Sequence, residues 1–338
     1  MMDLLEQLEF EQLKQSMYML YGLKLDDVRR SKYGVGSSTY FVTCAEARYV
    51  VKYISENEMN NPEIEIALCE YLLKQNISVC RFVKNKQGQV LSVDENGRIF
   101  NIQHFISGLT YKYNEAPDWL MEEAAVMLGK IHKCLENYNP LPSGIGADFF
   151  KYRTPQGTLA SYEGMLKNLE QIEPTHLENI QSNMELMKHF PKYEFDLSKL
   201  TCRNTHGDYT ISQLLCGEDK INAVIDWTSA CVHPVIWEIM RSYVYASPLC
   251  RSGEIDIEDF LNYIKAYMRY GTLNSYDLEN MGKLFYYTIA VSNFYGQYYT
   301  SITRNREMYL QQAVLSAKLM KWFDKNIEHL TIELIKLK

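Results

Sequence analysis

Two aspartates stand out among the residues of this chain that can do chemistry. Asp208 follows His206-Gly207 and precedes Tyr209; Asp226, eighteen residues on, precedes Trp227. Each lies where a short apolar run breaks, the first in LTCRNTHGDYTISQLL and the second in INAVIDWTSACVHP. Transfer of a phosphoryl group calls for two such carboxylates, one to take the attacking hydroxyl's proton and one to hold Mg2+ on the phosphates. Alone, Asp208 reads as a loop residue making a turn hydrogen bond, and Asp226 as a strand-end cap. Their spacing, the apolar approach to Asp226 and the amide of Gln213, five residues past Asp208, favour the chemical reading of the pair.

The surrounding sequence has to position these groups. Residues 3–21 carry Leu4, Leu5, Leu8, Leu13, Met17 and Leu20 at helical spacing, which predicts an amphipathic helix. DDVRRSKYGVGSSTYFVTCAEARYVVKYIS reads as strand, Gly-rich turn, strand, short turn, strand. A helix is expected over 62–76, opened by Pro62 and closed near Asn76. The stretch from Ile77 to Gly108 holds at least two more strands, with turns at KNKQG and DENG. Beyond Gly108 the character changes. A helix is expected over 117–136, with Leu120, Ala124, Met127, Leu128 and Ile131 as its apolar stripe, and further helix over 158–190. Two short strands within 199–227 carry the aspartates, and helices follow from Pro234. A mixed β lobe over 1–106 thus leads into a largely helical lobe over 107–338.

Composition limits the classes of function. In 338 residues, 46% hydrophobic and 23% charged, there is enough apolar material for a sizeable core. A net charge of −7 without a long basic run disfavours nucleic-acid binding, which rests on clustered Lys and Arg. The eight cysteines are scattered, with no C-x-x-C pair, and read as free thiols of a reducing cytosol. The acidic, amphipathic first twenty residues do not resemble a signal peptide, and no segment has the ~18 consecutive apolar residues of a membrane span. A cytoplasmic protein is expected, without membrane or nucleic-acid partners.

Other residues fall into line with the aspartate pair. In YGVGSSTYFV, the turn holding Gly34, Gly36, Ser37 and Ser38 could bring backbone N–H groups and two hydroxyls to a phosphate, or be an ordinary hairpin turn. Sixteen residues past Gly36, Lys52 sits amid Val50, Val51, Tyr53 and Ile54, as an edge-strand lysine also would. Helix 62–76 offers Glu63, Glu65 and Glu70 as carboxylates.

HGDY followed by an apolar strand ending in IDW resembles the signature of the aminoglycoside phosphotransferase and choline kinase-like family, nearer its bacterial homoserine kinase-like and spore-coat kinase-like branch. The resemblance runs from the Gly-rich turn to Trp237-Glu238 and implies an α+β, bilobal, protein-kinase-like fold. It implies an N-lobe of small antiparallel sheet with one helix, a largely helical C-lobe, and ATP- and Mg2+-dependent phosphorylation of a small-molecule hydroxyl. By the same resemblance Asp208 is the catalytic base, His206 braces its loop, and Gln213 and Asp226 bind metal. Lys52 contacts phosphates and pairs with Glu65, the best fit to the family's helix spacing, with Glu63 next. Gln103, His104 and Phe105, in the hinge-like NIQHFISG, read the adenine edge through their backbone, the purine lying between walls such as Val50 and Ile225. The chain departs from the pattern at Gln213, where the family usually has Asn, and at Glu238, where Asp is usual and where a structural role is expected. Mg2+ tolerates little change in ligand reach, so the extra methylene of Gln213 bears on the second metal. Those departures also leave open a catalytically weak, pseudokinase-like binding protein.

Aromatic residues crowd the last third of the chain, Tyr243, Tyr245 and Tyr263 among them, mostly at helical, core-like spacing. Some could line an acceptor pocket and hold a quaternary ammonium. Polycationic acceptors would need carboxylates, for which Glu254, Asp256, Glu258 and Asp259 are candidates, although such runs are usually solvated.

Overall fold

The computed structural model describes residues 4–31, 38–55, 62–168, 171–300 and 306–338. In chain order the elements are α1 (Leu4–Tyr21), β1 (Asp27–Arg30), β2 (Thr39–Cys44), β3 (Ala47–Tyr53), α2 (Pro62–Lys74), β4 (Leu91–Val93), β5 (Ile99–His104), α3 (Asp118–Leu135), α4 (Ala147–Tyr152), α5 (Pro155–Asn168), α6 (Pro174–Lys188), β6 (Cys202–Thr205), β7 (Leu214–Cys216), β8 (Ile221–Val224), β9 (Cys231–Pro234), α7 (Val235–Ala246), α8 (Ile257–Tyr267), α9 (Ser275–Ala290), α10 (Phe294–Thr300) and α11 (Arg306–Ile335). They form two compact units: residues 1–109 with 215–217 and 222–229, and the remainder. A linear reading assigns 215–217 and 222–229 to the helical lobe.

The first unit is built on a five-stranded antiparallel sheet of order β1-β2-β3-β5-β4. Alternation along β2 buries Tyr40 and Val42 and leaves Phe41 exposed, as the period of two requires. Tyr40, Val51, Tyr53, Phe100 and Ile102 make a core with Phe10, Leu13 and Met17 of α1. The buried stripe of α1 is therefore Phe10, Leu13 and Met17, while Leu8, expected on it, is 57% exposed. The hairpin of β7 and β8 also joins this unit. Leu109 and Cys216 exchange backbone hydrogen bonds, and the Val224 N–H donates to the Ser78 carbonyl at 2.9 Å. Gly108 is required here, since a Cβ would stand 3.0 Å from the Cys216 carbonyl oxygen.

The second unit is helical apart from the β6–β9 pair, in which Thr205 faces Cys231 and Cys202 faces Pro234. The helix expected over 158–190 is two helices. α6 starts at Pro174, whose missing N–H suits a first helical position, and the Glu173 side chain caps it by accepting from the Thr175 and His176 N–H groups. α3 packs on α8 and α9 on α11, with the Tyr286 and Phe323 rings stacked at 5.4 Å. No helix among the described residues is long and apolar enough to cross a membrane.

Candidate active site

Within the first unit, β3, α2 and the end of β8 bring three charged groups together. Lys52 lies on β3 between Thr39 and Asn101 in register. Its side chain is 12% exposed, and its Nζ donates to Asp226 Oδ1 at 2.9 Å. Glu65, buried on α2, places Oε2 at 3.9 Å from the same Nζ and accepts the Trp227 N–H at Oε1, 3.2 Å away. A 2.9 Å contact is a charge-assisted hydrogen bond and 3.9 Å is the outer limit of an ion pair. Lys52 is therefore bonded to Asp226, and Glu65 serves as a shared brace for Lys52 and the turn after Asp226. Glu63 and Glu70 are exposed on α2. Asp226 has φ +62°, a left-handed backbone that Asp tolerates better than most residues. Thr228 Oγ1 donates to the same Oδ1 at 2.9 Å, and the fully buried Trp227 anchors the turn through Nε1 to the Val224 carbonyl.

The hinge-like segment differs in detail from expectation. The His104 N–H donates to the Arg81 carbonyl at 2.9 Å and the Phe105 N–H to the Arg48 carbonyl at 3.2 Å. The buried Gln103 turns its amide to Asn101 Oδ1. Ladder bonding has thus taken two of the N–H groups expected to face a purine edge. Of the Gly-rich turn only Ser38 is described, its Oγ accepting from Arg30 at 3.3 Å. Gly34, Gly36 and Ser37 lie outside the described residues.

Within the second unit, β6 delivers the His206-Gly207-Asp208 turn and α7 holds it. Glu238 of α7 is fully buried; its Oε1 accepts the Gly207 N–H at 2.6 Å and its Oε2 accepts the His206 N–H at 3.3 Å. His132 of α3, also fully buried, places Nε2 2.8 Å from Oε2, and its Nδ1 meets the Tyr267 hydroxyl at 2.9 Å. Burial alone would push the Glu238 carboxyl up; the hydrogen bond from His132, with the electrostatic influence of His132 and His206, more than offsets it and holds it below the usual range. Gly207 has φ +80°, which lets two successive N–H groups turn toward one carboxylate. His206 Nδ1 accepts the Asp208 N–H at 3.2 Å. Tyr209 closes the turn from below, its hydroxyl donating to the Ala124 carbonyl at 2.9 Å.

With its backbone so held, Asp208 presents a 30% exposed carboxylate. Gln213 Nε2 donates to Oδ2 at 3.2 Å, and Arg241 Nη2, from α7, donates to Oδ1. Arg241 is the residue that the sequence reading missed. The signal was available: Arg241 lies three residues past Glu238, so both share a face of one helix. Asp256 and Asp259 serve as cap and partner of α8 and Tyr243, the Asp259 carboxylate accepting from the Tyr243 hydroxyl at 2.8 Å.

Among the described residues no group of three or more His, Cys, Asp or Glu side chains converges as a metal site. The Asp226 carboxylate, in the first unit, and the Gln213 amide oxygen, in the second, are each hard oxygen donors of the kind that Mg2+ takes. That ion keeps several waters and is held by one or two protein oxygens plus substrate phosphates.

No curated protein matches this sequence. Among solved structures, the microcompartment-associated aminopropanol kinase is similar at 13% identity and a TM-score of 0.63, over 97% of this chain and 99% of that one. An amicoumacin kinase is similar at 14% and 0.60, over 94% and 93%. Choline kinase from Cryptosporidium parvum is similar at 12% and 0.55, over 92% of each. These likenesses show the protein-kinase-like fold. The model of the phosphotransferase enzyme family (APH) matches residues 27–270, well over half of the chain, and the protein belongs to that family.

Proposed function

We propose that the protein transfers the γ-phosphate of ATP to a hydroxyl of a small molecule. The observation that carries this reading is the way Asp208 is held: backbone clamped by Glu238 and His206, and each carboxylate oxygen met by a donor. Such a carboxylate can orient an acceptor hydroxyl, and orientation matters more than basicity when the transition state is loose. In the proposed reaction the acceptor oxygen bonds to the γ-phosphorus and the bond to the β–γ bridging oxygen breaks. ADP leaves, and the hydroxyl proton passes to Asp208.

The nucleotide side falls to the first unit. Lys52, steadied by Glu65, contacts the phosphates, and Asp226 holds Mg2+; Gln213, in the second unit, is a further candidate oxygen ligand. Bound there, Mg2+ neutralises charge on the phosphate oxygens. With the His104 and Phe105 N–H groups engaged, edge reading of the purine moves to the His104 carbonyl and the Ile106 N–H. The Gly-rich turn, Gly34 to Ser38, remains the proposed phosphate cradle. The names of the similar structures, kinases of aminopropanol, amicoumacin and choline, support an acceptor of small-molecule size.

ATP consumption over a panel of amino alcohols, sugars, nucleosides and hydroxy acids identifies the acceptor. Asp208→Ala should then lower acceptor phosphorylation by roughly 10²- to 10⁴-fold while MgATP binding persists. A loss of only a few-fold would falsify the role given to Asp208.

A further inference from the structure

Arg241 has surroundings that the clamp on Asp208 does not explain. Its guanidinium carbon lies 4.8 Å from the centroid of the Tyr245 ring and 5.5 Å from that of Trp237, and Tyr245 packs on Tyr113 at 4.7 Å. Nη2 donates to Asp208, while Nε is buried without a hydrogen-bond partner among the described residues. The side chain is 15% exposed. Two aromatic faces and a carboxylate around one positive charge are what a protein uses to hold an ammonium group. Here the cation is the protein's own. The remaining titratable neighbour, His233, stacks on Trp237 at 4.6 Å and 17° and is kept neutral by burial, so it brings no charge to the cluster.

An acceptor presenting a hydroxyl to Asp208 must therefore meet Arg241. An ammonium group next to that hydroxyl would find the carboxylate already paired, the aromatic faces already covered, and a like charge within a few ångströms. A neutral alcohol meets no such penalty, and a carboxylate would be attracted.

We propose that Arg241 sets the acceptor class of this site: it occupies the place of a cationic group, so the phosphorylated hydroxyl belongs to an acceptor with no positive charge beside it, neutral or carboxylate-bearing. This rests on the reading of Asp208 as the carboxylate that meets the acceptor hydroxyl.

Choline, a quaternary ammonium beside a primary hydroxyl, is the probe, and its binding to the full chain is measured by calorimetric titration without nucleotide. Arg241→Ala should bind choline roughly tenfold or more tightly than the wild type, the order expected from two ring contacts and a freed carboxylate. Arg241→Gln, neutral and close in size, should show a gain in the same direction and serves if the alanine variant fails to fold. Arg241→Lys keeps the charge and should stay at the wild-type level. No gain in the Gln and Ala variants overturns the proposal, and so does a gain in the Lys variant equal to that in Gln. This series involves no turnover, so its failure is distinct from failure of the catalytic reading, which the Asp208→Ala kinetics decide.

Discussion

Lys52 is bonded to Asp226 and only grazes Glu65, although both carboxylates lie within its reach. Glu65 is the more buried of the two, and the N–H of Trp227 takes one of its oxygens. Its contribution is thus to fix where the ammonium and the Asp226 turn stand. Glu65→Gln keeps an oxygen for the Trp227 N–H and loses the charge facing Lys52. The expected outcome in steady-state kinetics is a several-fold rise in KM for ATP with the acceptor KM unchanged. Lys52→Ala should cost more than Glu65→Gln does, about 10²-fold in kcat/KM for ATP, because it removes the donor itself. An unchanged ATP KM in Glu65→Gln would reduce Glu65 to a packing residue. Lys52 and Glu65 were legible in the sequence because a strand lysine and a helix carboxylate at family spacing are local patterns. Arg241 was not singled out, because its meaning depends on a fold-made contact with a residue thirty-three positions away.

At the scale of elements, α7 explains why the His206-Gly207-Asp208 turn keeps its shape. Glu238 and Arg241, three residues apart, reach the backbone and the side chain of one loop. The usual Asp at position 238 would be one methylene shorter; Glu spans to the Gly207 and His206 N–H groups and still receives His132. Glu238→Ala strands these donors in a dry interior and should cost about 3 kcal/mol or more in urea unfolding. A loss within about 0.5 kcal/mol, the scatter of ordinary surface substitutions, would mean that the clamp contributes nothing to stability. The same helix adds a pH dependence through His233, which β9 carries next to α7. Burial is the main cause of its pKa falling from 6.5 to about 4; the Glu238 carboxylate opposes that and Arg241 adds to it. The unfolded chain thus binds a proton that the folded one refuses between those values. The stabilisation is full above pH 6.5 and is lost as pH falls toward 4, up to roughly 3 kcal/mol. Urea titrations across that window should show a shallower decline for His233→Asn than for the wild type, and parallel declines would refute the assignment. Helix boundaries were legible where Pro62 and Pro117 mark them. The split of 158–190 was not, since a cap formed by Glu173, outside the usual N-cap set, resembles any surface acid in sequence.

At the scale of the whole molecule, the sequence shows which residues are near in the chain but not which strands a unit recruits. The β7–β8 hairpin joins the first unit through backbone bonds to Leu109 and Ser78, partners more than a hundred residues away. That recruitment puts Asp226 on Lys52 and gathers Lys52, Glu65 and Asp226 in one unit. If that unit binds ATP with Mg2+, ligand binding must stabilise the fold by mass action, by about 2.7 kcal/mol at a hundredfold excess over Kd. A shift of several degrees in the thermal midpoint is then expected with MgATP. It should be smaller with ATP and chelator, because the phosphates would then meet Asp226 without a neutralising cation. Lys52→Ala should abolish most of it, whereas Asp208→Ala should leave it nearly intact, since Asp208 is assigned to the acceptor. A wild-type midpoint unmoved by saturating MgATP would overturn the assignment of Lys52, Glu65 and Asp226 to the nucleotide. Equal shifts with and without Mg2+ would overturn the metal role of Asp226 alone.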